Sequence, residues 1–116
     1  MTSEHLTAIL AERVMGWGVG PDRYLMGNRS WMPRWRFQPT EHLQDAFRLL
    51  EKADPQQFTM VGDEKGIYFV RVQVRGAVGE ARDTCKPRAI TFALARALGF
   101  EPSPDTSTQK TLANRR

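Results

Sequence analysis

The sequence predicts an α+β domain built in layers, with three amphipathic helices alternating with two antiparallel hairpins in the order α-ββ-α-ββ-α. Two observations carry this. Apolar residues recur at helical spacing in three separated stretches, and turn signals separate short runs with strand character between them. Hairpins make antiparallel neighbours, and a helix with one apolar stripe needs a surface to cover.

Leu6, Ile9, Leu10, Arg13, Val14 and Trp17 follow the i, i+3, i+4, i+7 rhythm of the first helix. Ser3 or Thr2 is placed to cap it, and Gly16 with Gly18 supplies the stop. "RYLMGNRSW" has Gly27-Asn28 between short apolar flanks, the pattern of a tight hairpin. Pro33 lacks an N–H for a ladder, so its strand lies at an edge or carries a bulge.

"QPTEHLQDAFRLLEKADP" predicts the second helix, with Thr40 at the N-cap and Leu43, Ala46, Phe47 and Leu50 as its apolar stripe. Asp54-Pro55 ends it. Residues 58–61 and 67–74 form a second hairpin around Asp63, Glu64, Lys65 and Gly66. Tyr68, Val70, Val72 and Val74 share one face of the longer arm.

Residues 75–86, with two glycines and no periodicity, read as a loop. Pro87 then fits the first turn of a third helix running to about Leu98. Its buried stripe is Ala89, Ile90, Ala93, Leu94 and Ala97, and alanines at every fourth position allow close approach to a neighbour. Residues 1–100 are thus one domain. Residues 101–116, rich in Pro, Ser and Thr, cannot repay the entropy of ordering and are expected to be a disordered polar tail.

Composition narrows the function. The chain of 116 residues has a net charge of +4 and no apolar run long enough to span a bilayer. Its N-terminus is acidic where a signal peptide is basic, and its lone cysteine, Cys85, has no partner for an internal disulfide. A cytoplasmic protein without membrane partners is expected. Basic charge gathers in residues 22–37 and 71–96, and acidic charge in residues 41–65, so the surface is polarised.

The segment "GNRSWMPRWRF" concentrates two tryptophans, a phenylalanine and three arginines. Strand alternation puts Trp35 and Phe37 on one face, toward the core, and Arg34 and Arg36 on the other, toward water. Trp31, ahead of Pro33, remains available to stack on a base or nucleotide ring.

"LAERVMGW", then "RWRFQPTEHLQDAFRLLEK", then the alanine-rich "RAITFALARALGF" arrive in an order that resembles the phage ABA sandwich domain family over roughly residues 6 to 98. The most telling parts are the "ERVMGW" helix end and the F-x-P-T entry into a helix. The resemblance implies an α/β/α sandwich, a phage or prophage origin, residence in the host cytoplasm, and no established activity. The 75–86 segment and the polar tail depart from the family pattern.

Chemistry is sparse. His5 and His42 are too few for a metal site, which needs three or four ligands at close spacing, so neither metal nor cofactor is expected. Cys85 lies near cations, but no base or oxyanion donor accompanies it. No catalytic residue emerges, and the expectation is a non-enzymatic protein that acts by binding. One candidate site sits where the third helix opens, with Arg71, Arg75, Lys86 and Arg88 holding phosphates and Trp31 stacking. It would serve an anti-defence inhibitor that sequesters a small anionic nucleotide or occupies a host protein complex. The alternatives are a nucleic-acid interface of Arg29, Arg34, Arg36, Lys110, Arg115 and Arg116, or a structural module that forms a homodimer.

Overall fold

Leu6, Leu10 and Ala11 turn one apolar face inward and start the chain as helix α1, Ser3–Leu10. The structure, a computed structural model, describes residues 3–27 and 30–100. The helix widens into a π-helical turn, Ala11–Met15, and stops at Gly16, which takes the left-handed conformation at φ 74°. The N–H groups of Gly16 and Trp17 both donate to the Ala11 carbonyl. This swings Trp17 into the core.

Three short strands follow: β1 (Gly18–Val19), β2 (Arg23–Leu25) and β3 (Trp31–Pro33), antiparallel in the order β1-β2-β3. The hairpin expected around Gly27-Asn28 joins β2 to β3, with Leu25 opposite Trp31, although Asn28 itself lies outside the described residues. Pro33 lies on the edge strand β3, where its missing N–H costs nothing.

The next residues depart from expectation. Arg34–Arg36 is a 3-10 turn rather than a strand, closed by the Phe37 N–H on the Arg34 carbonyl at 3.3 Å. A three-residue period groups Arg34 with Phe37 and sends Trp35 the other way. Phe37 is 1% exposed as expected, but Trp35 is 69% exposed, and the inward placement of Trp35 is corrected. Phe37 packs edge-on against Trp17 at 5.0 Å and Tyr24 at 6.0 Å, forming the aromatic heart of this half of the molecule.

Helix α2 spans Leu43–Ala53, two residues later than a Thr40 cap would start it. Thr40 is instead buried in the tight turn before it, where the Glu41 and His42 N–H groups bond the Gln38 carbonyl. The buried stripe is Ala46, Leu49 and Leu50, while Leu43 and Phe47 stay exposed at its margin. Asp54 ends the helix in the left-handed region, as the Asp-Pro signal indicates.

Strands β4 (Gln57–Gly62), β5 (Tyr68–Val74) and β6 (Ala77–Asp83) form a second antiparallel sheet in chain order. The predicted hairpin is β4–β5, and Val70, Val72 and Val74 line its buried face. Strand β6 lies where a loop was expected. Arg75 and Gly76, at φ 52° and 84°, make a two-residue turn that sets Val74 opposite Ala77. The inward positions of β6, Gly79 and Ala81, lack the branched side chains by which a strand is usually recognised.

Helix α3, Lys86–Ala97, has Pro87 in its first turn and buries the predicted Ala89, Ile90, Ala93, Leu94 and Ala97. It packs on β5 and β6 on one side and on α2 on the other. A Cβ on Gly79 would overlap the Ala93 carbonyl oxygen and the Ala97 nitrogen and lie 3.0 Å from the Ala97 Cα. The spaced alanines do permit the close approach expected of them. Buried Thr91 donates its hydroxyl to the Pro39 carbonyl at 2.7 Å, tying α3 to the turn before α2. Among the described residues, three helices and two three-stranded antiparallel sheets thus make an α+β sandwich, with two hairpins each enlarged by a strand and held in separate sheets. The polar tail, 101–116, lies outside the described residues.

Candidate functional site

The residues of the expected phosphate site do not converge. Lys86 sits over the Tyr68 ring at 5.0 Å, at the start of β5, and Arg75 follows the far end of that strand. Seven strand residues at about 3.3 Å each separate them by roughly 20 Å. Arg71 points to the outer face of the second sheet, opposite the face that packs on α3, and is paired with Glu80 at 2.8 Å. Arg88 faces Asp83 at 3.6 Å and Glu41 at 3.7 Å.

Protein carboxylate already occupies the start of α3. Asp83 Oδ1 accepts the Cys85 N–H at 2.9 Å, and the Cys85 thiol donates to the Thr40 carbonyl at 3.6 Å. Asp83 and Glu41 thus face Arg88 where the sequence placed an anion, and the four expected residues are not brought to one point.

The arginines of the aromatic segment also divide. Arg34 is half-buried, with its guanidinium 5.5 Å from the Tyr24 ring and Nη1 donating to the Gly20 and Pro21 carbonyls. It is a structural brace. Arg36 is exposed, and Arg29, Lys110, Arg115 and Arg116 lie outside the described residues. Trp31 is 58% exposed, with the Arg23 guanidinium 4.9 Å from its ring. Hydrogen bonding from Arg23 holds the Asp22 carboxyl below the usual carboxylate range.

A basic cleft forms where sequence reasoning placed only Arg75. Arg13 from the π-helical turn, Lys52 from the last turn of α2 and Arg75 from the β5–β6 turn surround an open space of 240 Å³. Its floor is apolar, made by Val14, Ala53, Val74, Leu98 and Phe100. The Arg13 guanidinium lies 5.7 Å from the Phe100 ring. Among the described residues none of these three cations makes an ion pair.

Arg13, Lys52 and Arg75 are exposed, and an anion placed between the three cations would relieve what mutual repulsion the solvent leaves. Arg75 also holds a left-handed backbone, which costs a non-glycine residue on the order of 1 kcal/mol. The residues come from three elements far apart in sequence, so no local motif announces them. Residues 75–86 read as a loop in the sequence, and the Arg75-Gly76 pair is a local feature that could have marked the turn.

The other clefts differ in chemistry. One of 370 Å³ is lined by Glu4, Glu41, Gln38, Thr7 and Thr40 beside Tyr24 and Phe37, and its carboxylates disfavour an anion. Among the described residues no group of three or more His, Cys, Asp or Glu could hold a metal, and no helix is long and apolar enough to cross a membrane.

Comparison with known proteins agrees with this architecture. The family model described as Phage ABA sandwich domain matches residues 8–94. The chain is also similar to a solved structure, the 2.0 Å crystal structure of a phage protein from Bacillus cereus ATCC 14579. The TM-score is 0.69 and the identity 19%, over 87% of this chain and 91% of that one. At that identity the likeness is one of fold. No curated protein matches the sequence significantly.

Proposed function

This chain belongs to the phage ABA sandwich domain family, and from that premise we propose that it is a binding protein whose basic cleft takes a small phosphate-bearing ligand such as a nucleotide. The observation that carries the reading is the set Arg13, Lys52 and Arg75 around an apolar floor. Guanidinium and ammonium groups give charge-assisted bonds to phosphate, and the floor with Phe100 accepts a planar ring. Among the described residues no carboxylate, imidazole, hydroxyl or thiol lines the cleft, and the proposal is one of capture without turnover. In a phage protein, such capture would withdraw a host nucleotide from use in defence.

Calorimetry tests this with a nucleoside monophosphate and the matching nucleoside at low salt. The phosphate form should bind and the nucleoside should not. Arg75→Gly should weaken binding about tenfold or more, the value of a charged hydrogen bond. The same change suits the left-handed backbone, so thermal stability should hold or rise. Equal affinity in Arg75→Gly and in Lys52→Ala would remove the cleft from the mechanism.

A second reading rests on a different observation, the exposure of both Trp31 and Trp35 beside Arg23 and Arg36. Bare tryptophans with nearby arginines suit single-stranded nucleic acid, each stacked base contributing about 1–3 kcal/mol. A titration with a labelled oligonucleotide should then show tryptophan quenching and steep weakening with salt, and Trp31→Ala with Trp35→Ala should lower the affinity read from the label about tenfold or more. Binding without a salt slope would dispose of it.

A further inference from the structure

The F-x-P-T segment leads into α2 without capping it, and it spends its backbone acceptors elsewhere. The Gln38 carbonyl accepts the Glu41 and His42 N–H groups at 2.9 and 2.8 Å. The Pro39 carbonyl accepts the Thr91 hydroxyl at 2.7 Å, and the Thr40 carbonyl accepts the Cys85 thiol at 3.6 Å. The Gln38 N–H donates to the Asp45 carboxylate at 3.0 Å. Every carbonyl from Gln38 to Thr40 is thus taken, and the segment is braced against α2 and α3. The Thr40 side chain is left over. Thr40 is 3% exposed, yet its hydroxyl makes no hydrogen bond among the described residues.

Tyr24 repeats this pattern from β2. It is 1% exposed, its ring packs on Trp17 and Phe37, and its hydroxyl also makes no hydrogen bond among the described residues. Hydroxyls in buried residues normally find a partner, because desolvation is otherwise uncompensated. Among the described residues, Arg34 Nε is the one fully enclosed side-chain nitrogen or oxygen that lacks one. The Tyr24 and Thr40 hydroxyls are therefore not enclosed. They reach the 370 Å³ cleft that both residues line.

Acceptors gather around this cleft, and among the described residues no Lys or Arg lines it. Glu4 from α1 and Glu41 from the turn before α2 are the exposed carboxylates of its wall, and Gln38 adds an amide. Arg88 comes only to 3.7 Å from Glu41, beyond hydrogen-bond reach, and Glu4 makes no ion pair among the described residues. In a chain of net charge +4, this wall runs against the overall charge.

We propose that the cleft binds a small organic cation, a guanidinium or primary ammonium group on a short alkyl chain. Such a group carries N–H donors and positive charge and no acceptor. Its N–H groups meet the Tyr24 and Thr40 hydroxyl oxygens, and its charge lies between Glu4 and Glu41. Tyr24 is fixed by its ring neighbours and Thr40 by its backbone, so little is left to order on binding. A neutral ligand would satisfy the hydroxyls and leave the two carboxylates unanswered.

This cleft shares no lining residue with the basic one and takes a ligand of opposite charge, so either reading can fail alone. The test is an NMR titration of the full chain at low salt with butylguanidinium and with butylurea, a neutral molecule of nearly the same shape. Butylguanidinium should move the amide signals of Thr7, Tyr24 and Thr40 saturably and bind about tenfold or more tightly than butylurea. Glu4→Gln with Glu41→Gln should weaken it about tenfold or more, through loss of both charges. Tyr24→Phe should weaken it about threefold or more. The Tyr24 hydroxyl holds nothing else, so the thermal midpoint of that variant should not fall. A wild type whose signals stay still overturns the proposal. So does butylurea bound as tightly as butylguanidinium, a response spread along the solvent face of α2, or undiminished affinity in Tyr24→Phe.

Discussion

Gly79→Val is expected to destabilise the protein by about 3 kcal/mol or more, the upper end of overpacking costs, because the new atoms must enter backbone rather than a yielding side chain. The Cβ alone would overlap the Ala93 carbonyl and the Ala97 nitrogen of α3. Helix α3 cannot retreat locally, since its other side packs on α2 and Thr91 fastens it to Pro39. Against a whole-domain stability of about 5–15 kcal/mol, such a loss moves the urea midpoint far to lower concentration. Gly27→Ala is the control, since a Cβ there meets nothing within 4 Å. A Gly79→Val midpoint matching wild type would mean that α3 does not lie on β6 as described.

Phe37→Ala should cost about 3–5 kcal/mol, whereas Trp35→Ala should change stability by no more than about 0.5 kcal/mol. The two residues are neighbours in the same aromatic segment, and strand alternation would give them equal weight. Phe37 packs with Trp17 and Tyr24 in a mutually touching cluster of three rings, and its removal opens a cavity that the two rigid rings left behind fill poorly. Trp35 lies bare, so its truncation removes little buried surface. Denaturant unfolding of both variants measures the contrast, and comparable losses would restore the extended strand that the 3-10 turn replaces.

Much of the architecture was legible in the residues. Gly16 as a stop, Pro87 as a start, Asp54-Pro55 as an end and the Asp63–Gly66 turn each act through one residue's backbone preferences, which depend little on distant neighbours. The alternating valines of β5 and the spaced alanines of α3 were equally plain, because each pattern reports one element's own period. Strand β6 escaped notice because its inward residues are small to admit a helix, a requirement that belongs to α3 and not to β6. The Trp35 reversal came from a change of period after Pro33, where contacts of Arg34 with Gly20, Pro21 and Tyr24 favour a turn over continued strand.

The candidate site was mostly hidden. Sequence proximity grouped Lys86 and Arg88 with Arg71, but acids and strand parity separate them. Arg13, Lys52 and Arg75 share a cleft only because three element ends meet there. The sequence by itself determined where the three α-helices lie, where they stop, and the family to which the chain belongs, since those depend on local backbone energetics and periodicity. Only the tertiary structure decided which charges stand unpaired and which rings stand bare. Electrostatic neutralisation and burial are properties of neighbours in space, and no order along the chain prescribes them.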